Sequence, residues 1–314
     1  MKRLITALLL LLGCTALTAQ KITFIPQWTA QAQFIGYYVA QEKGFYEQEG
    51  LDVEIKHLSR GSKRNVISYI RSGEAQLITS QMLIAMMAND GGLDIVNVLQ
   101  TSQSNGLCIL SKDPISKFED LNGKKVGRWS SGFGEAALMM AEDKGLFIDW
   151  IPSNQSVNLF LAGALDACLL YNYNELINVY LALGKIEPDH ILYFSDSEYN
   201  FPEDGLYCLN SYYQENKSAV DRFVNASKHG WRYAGEHPDE ALEICMKYMK
   251  ACNIPAKAVH QKLMLDEIIK LSRDNDGVAS FAPISRKTFD TMTLKALRAG
   301  LIMHPLQYDE IIKR

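Results

Sequence analysis

WTAQAQFIGYYVAQEKGFYEQEGLDV, residues 28–53, is the stretch whose reading decides the fold. A short apolar run at 22–25 ends just before it, so Trp28 stands at the end of a predicted strand. Phe34, Tyr37, Tyr38 and Gln41 then recur at spacings near three and four, one face of a helix, while Gln33, Glu42 and Lys43 fall elsewhere. Gly44 predicts the helix stop. Phe45 and Tyr46 lead into a second strand at 51–55, where apolar and acidic residues alternate. In open α/β sheets, ligands bind beyond the carboxyl ends of the strands, which is where Trp28 falls.

The alternation continues outward from this unit. A polar turn at 60–63 precedes a helix from Val66 to near Gly73. A strand at 75–79 follows, then Ser80 as a plausible N-cap, an apolar helix at 82–88 and a strand at 95–100. A second series starts with a strand at 107–111. FEDLNGKKVGRW (118–129) reads as a short helix, a turn and a strand, and SSGFGEAALMMAEDKG (130–145) as a helix with its glycine stop. Strands at 146–151 and 164–171 enclose a helix at 156–163; a helix at 173–184 and strands at 191–194 and 206–209 complete the series. Beyond about residue 212 the pattern is helical, interrupted by Pro238, Pro255 and Pro283. Such alternation predicts mostly parallel sheets covered on both faces. Two series of similar size, with no Pro- or Gly-rich linker between them, predict two lobes around a cleft, joined by extended strands.

With 314 residues and 47% hydrophobic content, the chain can bury two cores. Its formal charge of −4 falls to −6 if Lys2 and Arg3 are removed, and no basic cluster offsets it, which argues against nucleic acid. Met1, Lys2 and Arg3 followed by an apolar run at 4–12, too short to span a bilayer, read as an export signal. Two endings are open: Leu11, Leu12, Gly13 and Cys14 resemble a bacterial lipobox, with Cys14 acylated and 1–13 removed, whereas cleavage after Ala19 would release a chain beginning at Gln20. Either way the expected location is periplasmic, soluble or lipid-anchored. Cys108, Cys168 and Cys208 lie in apolar strand candidates and read as buried thiols. Cys245 and Cys252 would pair only if their helix ended between them. The histidines at 57, 190, 229, 237, 260 and 304 are scattered, and no HExxH, nucleophile elbow or kinase signature appears. No metal, cofactor or catalytic residue is therefore expected.

Candidate ligand-binding residues follow from position and chemistry. Trp28 offers a flat face for stacking. Tyr37 and Tyr38 are adjacent, so only one can face the cleft, and Tyr37 is the candidate. Gln31, with Gln33 beside it, supplies amide groups, and Ser80 stands at a strand-to-helix junction. Trp129, Ser131 and Gly132 form a second such junction, where free N–H groups favour an anion; Glu135 already brings negative charge there, so a neutral ligand is expected. Tyr171 ends a predicted strand, and Asn174 and Glu175 lie just beyond it.

Four stretches, 28–53, 119–135 (EDLNGKKVGRWSSGFGE), 163–175 (GALDACLLYNYNE) and 226–242 (ASKHGWRYAGEHPDEAL), together resemble one family over nearly all of the mature chain. It comprises the SsuA-type periplasmic substrate-binding proteins related to the thiamine-pyrimidine precursor synthase and to the pyrimidine-precursor-binding proteins of ABC importers. The resemblance implies an α/β, two-lobed, Venus-flytrap fold of periplasmic-binding-protein type II. Residues 20–107 plus 206–314 would form one lobe and 108–205 the other. It implies a monomeric solute-binding protein whose ligand is a thiamine-type pyrimidine precursor or a similar small heteroaromatic, whose partner is an ABC permease of the inner membrane, and whose acidic contact to the aminopyrimidine is Glu175. The eukaryotic synthase of this family needs a lysine for a pyridoxal phosphate imine, a histidine and a Cys-rich motif. The corresponding positions hold Ser80, Ile84 and the cysteine-free segment 199–203, so no enzyme is expected. The alternatives are a periplasmic sensor that signals to a membrane kinase, or a carrier of another solute such as riboflavin or an alkyl sulfonate.

Overall fold

Ile22, Thr23, Phe24 and Ile25 are all buried, the signature of a strand covered on both faces. The computed structural model describes residues 19–59, 61–129, 132–153, 156–255, 257–273 and 279–313; the export signal, Cys14, Ser130 and Ser131 lie outside them. The strands are β1 (Gln20–Ile25), β2 (Leu51–Ile55), β3 (Leu77–Gln81), β4 (Ile95–Gln100), β5 (Leu107–Ser111), β6 (Lys125–Arg128), β7 (Asp149–Pro152), β8 (Ala167–Tyr171), β9 (Ile191–Tyr193) and β10 (Asp204–Leu209). They form two five-stranded sheets, in the orders β2-β1-β3-β10-β4 and β7-β6-β8-β5-β9.

In each sheet one strand runs against its neighbours: β10 pairs antiparallel with β3 and β4, and β5 with β8 and β9. The remaining pairs are parallel, as the alternating pattern predicts. β5 and β10 are the first strands after each passage from one lobe to the other, so the chain enters each sheet reversed.

The passages run side by side. Ser102 Oγ accepts from the backbone N–H groups of Glu203 (2.8 Å) and Asp204 (2.9 Å), while Glu203 Oε2 accepts from Gly106 N at 2.9 Å. Away from this hinge, Asp143 of the second lobe pairs with Lys295 of the first and accepts from the Tyr199 hydroxyl at 2.7 Å.

Helix Ile35–Glu42 packs against the long helix Asn210–Glu236 at two glycines. A side chain at Gly230 would bring its Cβ 2.0 Å from the Gly36 carbonyl, and one at Gly36 would meet the Trp231 ring at 2.2 Å. The two backbones can approach this closely only without a Cβ at these positions.

Several boundaries differ from the sequence pattern. β3 continues through Ser80 and Gln81, so Ser80 is a strand residue and Gln81, without a side-chain cap, precedes helix Met82–Asp90. The helix predicted at 173–184 begins at Glu175, and the one predicted at 156–163 is the single turn Asn158–Leu161. Helix Pro238–Ala251 does end before Cys252, yet Cys245 and Cys252 are both free thiols.

Candidate ligand-binding site

A cavity of about 640 Å³ opens between the lobes at the carboxyl ends of β1 and β3. Its first-lobe wall carries Trp28, Gln31, Ser80 and Gln81, the loop after β2, and the turn leading into helix Ala258–Leu271. The second lobe contributes Gly132, Phe133, Asn174 and Asn178.

Trp28 is half-buried on this wall, and aromatic rings of the other lobe meet it edge-on: Trp129 at 5.5 Å and Phe133 at 5.3 Å between centroids. Its backbone is fixed from behind by His57. The Trp28 carbonyl can only accept, so His57 Nδ1–H donates to it (2.9 Å) and Nε2 accepts from the Tyr38 hydroxyl (2.9 Å). Burial lowers the His57 pKa to about 4, keeping this relay neutral. In the sequence His57 is one of six scattered histidines, and nothing local links it to Tyr38.

The glutamines around Trp28 are bonded to one another and to Asp204. Gln31 Nε2 donates to Gln33 Oε1 at 2.7 Å, and Gln33 and Gln27 donate to the two carboxylate oxygens of Asp204 at 2.7 and 2.8 Å. Burial raises the Asp204 pKa against these two donors. Gln31 reaches the wall with one of its two amide N–H donors engaged. From the neighbouring helix, Gln261 accepts from Ala32 N (2.8 Å), and the adjacent His260 bonds the Asn174 carbonyl across the cleft at 3.2 Å.

Four expected residues, Tyr37, Glu175, Trp129 and Tyr171, do not reach the cavity. Tyr37 is 1% exposed and packs against Phe24 (4.6 Å) and Trp231 (5.7 Å), because the helix turns its ring toward the sheet. Glu175 is 2% exposed; its carboxylate accepts from Tyr171 N (3.0 Å) and Asn174 Nδ2 (3.1 Å), and burial raises its pKa to about 7. Asn174, one position earlier, is the residue on the wall. Trp129 and Tyr171 are buried behind it. Trp129 supports Phe133 at 5.2 Å, and the Tyr171 hydroxyl accepts from Gln81 Nε2 at 2.5 Å, bridging the lobes.

Ser80 lies on the wall, its hydroxyl 3.4 Å from the Gln81 carbonyl. Gly132 and Gly134 both adopt positive φ, +78° and +95°, and a Cβ at Gly134 would strike Leu169 at 2.6 Å, so this turn requires glycine. Gly132 N donates to Glu135 Oε1 at 2.9 Å. Ser131 lies outside the described residues. Phe133, Lys63, Arg64, Lys257 and His260 also line the cavity, and no local pattern in the sequence marks them.

A profile for the family described as NMT1/THI5 like matches residues 31–241. The chain belongs to this family. Among NMT1/THI5-like relatives, the formylaminopyrimidine-binding protein of Halalkalibacterium halodurans is 26% identical over 274 residues, covering 80% of this chain and 79% of the relative. A 4-amino-5-hydroxymethyl-2-methylpyrimidine phosphate synthase of Candida albicans is also 26% identical, over 244 residues, covering 72% of this chain and 70% of that protein. Among solved structures, the periplasmic aliphatic sulphonate binding protein SsuA of Escherichia coli superimposes with a TM-score of 0.67 at 13% identity, covering 94% of this chain and 92% of that one. This last likeness establishes the two-lobed periplasmic-binding-protein fold of the NMT1/THI5-like chain. Among the described residues no helix is long and apolar enough to cross a membrane, and no cluster of His, Cys, Asp and Glu is grouped to hold a metal.

Proposed function

We propose that this chain is the extracytoplasmic solute-binding component of an ABC importer and that it takes a small flat heteroaromatic, of the thiamine-pyrimidine precursor class, between its lobes. The observation that carries the reading is Trp28, held by His57 on one wall of the cavity with Phe133 facing it from the other lobe. A ring entering here gains area burial and about 0.5–1.5 kcal/mol per aromatic contact. About 640 Å³ falls within the roughly 300–1,000 Å³ of small-molecule sites. Walls from two lobes joined by two adjacent connecting segments suit hinge closure, which would present one liganded shape to an inner-membrane permease. The name of the Halalkalibacterium relative supports the pyrimidine class.

Binding without turnover fits the residue at position 80. Where the resemblance to the synthase calls for an imine-forming lysine, Ser80 has only a hydroxyl, so a pyridoxal phosphate imine has no amine there. The protein is accordingly read as a monomeric carrier outside the cytoplasm, either free or anchored through Cys14.

The test is a calorimetric and thermal-shift panel of hydroxymethyl- and formylaminomethyl-pyrimidines, thiamine, riboflavin and alkyl sulfonates. Pyrimidines should bind and raise the melting temperature. A shift with riboflavin or sulfonates alone would replace the ligand class. Turnover of any probe by the purified protein would overturn the carrier reading.

A further inference from the structure

The charge on the cavity wall is one-sided. Among the described residues lining it, Lys63, Arg64 and Lys257 are cationic and none is an aspartate or glutamate. Arg64 is compensated: its guanidinium lies 2.7 Å from Glu74 and stacks over the Tyr69 ring at 3.9 Å. Lys63 and Lys257 have no ion-pair partner among the described residues and project from the first-lobe rim. The acidic groups close to the wall are buried behind it and engaged, Glu175 with Tyr171 N and Asn174, Asp204 with Gln27 and Gln33.

The second lobe offers an anion little in return. Two helices begin at its side of the cavity, and each has a carboxylate in its first turn: Glu135 accepts from Gly132 N, and Glu175 accepts from Tyr171 N. Backbone N–H groups that an anion could use beside these helix starts are therefore already taken by side-chain carboxyl oxygens. Two unpaired ammonium groups on the opposite rim of a concave site leave a positive potential concentrated on the first lobe.

We infer that the solute bears an acidic group, a phosphate, sulfonate or carboxylate, received by the ammonium groups of Lys63 and Lys257 while Trp28 and Phe133 hold its flat part. The inference rests on the carrier reading above and narrows its ligand to an anionic heteroaromatic. Lysine suits this task as a mobile point charge, and its attraction is screened by salt because both side chains are exposed.

The experiment compares 4-amino-5-hydroxymethyl-2-methylpyrimidine with its phosphate monoester by titration calorimetry. Pyridine-3-sulfonate, pyridine-3-carboxylate and inorganic phosphate serve as further arms. The proteins are the unmodified chain, the double variant Lys63→Ala/Lys257→Ala and its Arg/Arg counterpart. The charged pyrimidine should bind at least about tenfold tighter than the neutral one, the preference shrinking as salt rises. The Ala/Ala protein should lose that preference, keep the neutral affinity within about twofold and melt like the parent, and Arg/Arg should restore it. Which of the phosphate, sulfonate and carboxylate arms binds tightest identifies the acidic group. Equal affinity for neutral and charged pyrimidine, or a preference that survives in Ala/Ala, overturns the anionic-group inference and leaves the carrier reading standing. Binding of inorganic phosphate with no aromatic probe retained, or no binding in any arm, overturns the heteroaromatic reading itself.

Discussion

Trp28 and Trp129, from opposite lobes, meet perpendicular with ring centroids 5.5 Å apart. The contact couples the candidate site to the relative placement of the lobes, since neither ring can be moved without disturbing the other. Edge-on aromatic pairs contribute about 0.5–1.5 kcal/mol beyond area burial. A double-mutant cycle of Trp28→Ala and Trp129→Ala in urea should return a coupling energy of that size. Trp28→Ala alone should remove pyrimidine-induced stabilisation and lower the unliganded melting temperature by a few degrees. A coupling energy of zero would mean that the two rings are neighbours without energetic linkage.

His57 holds Trp28 from behind through its backbone carbonyl. His57→Phe keeps the ring volume while deleting the donor to Trp28 and the acceptor for Tyr38, leaving two polar groups unsatisfied. The expected cost is about 1–3 kcal/mol in denaturant unfolding. Ligand affinity should fall less than in Trp28→Ala, because the indole remains.

Gly230 and Gly235 occupy one helix but different surroundings. A Cβ at Gly230 would sit 2.0 Å from the backbone of Gly36, whereas nothing lies within 4 Å of one at Gly235. Gly230→Ala should destabilise by about 3 kcal/mol or more, since backbone rather than a flexible side chain must yield. Gly235→Ala should instead stabilise by up to about 1 kcal/mol through helix propensity. Thermal melts of the two variants against the parent separate packing from propensity.

Burial gives the pH dependence two opposing arms. The pKa of Glu203 is raised to about 8 and that of Glu175 to about 7, from ordinary values of 4.5. Between those values and 4.5 the folded protein holds protons that the unfolded chain releases, so their contribution is full below about pH 4.5 and is lost as pH rises through 7 to 8. His57 acts in the other direction: with its pKa lowered from 6.5 to about 4, its contribution is full above pH 6.5 and is lost as pH falls toward 4. Urea midpoints from pH 4 to 9 should fall toward the alkaline end. Glu203→Gln should flatten that decline, and an unchanged slope would mean that Glu203 is ionised in the folded protein at neutral pH.

Much of the fold was legible because its signals are local. The strand-helix alternation from 22 to 209, the glycine stops and the break at Pro238 depend only on neighbouring residues, and they appear nearly where the pattern put them. Trp28 at the cavity follows from the same logic, since a residue just past β1 must emerge at the end of the sheet. Gly132 followed from its strand-to-helix junction in the same way.

Side-chain direction was beyond such reading. Whether Asn174 or Glu175 faces the cleft depends on where the helix after β8 begins, and a start at Glu175 rather than 173 turned the carboxylate inward onto Tyr171 N. Tyr37 went to the core because Gly36 and Gly230 let the long helix press that face of its helix against the sheet. Phe133 facing Trp28, and Lys63 sharing a rim with Lys257, join residues far apart in the chain. By itself the sequence determined the order of elements and the two-lobed plan, through periodicities carried within each segment. Only the tertiary structure decided which side chains meet at the cavity and the sign of charge it presents, because those depend on how two separately wound sheets are set against each other across their connecting segments.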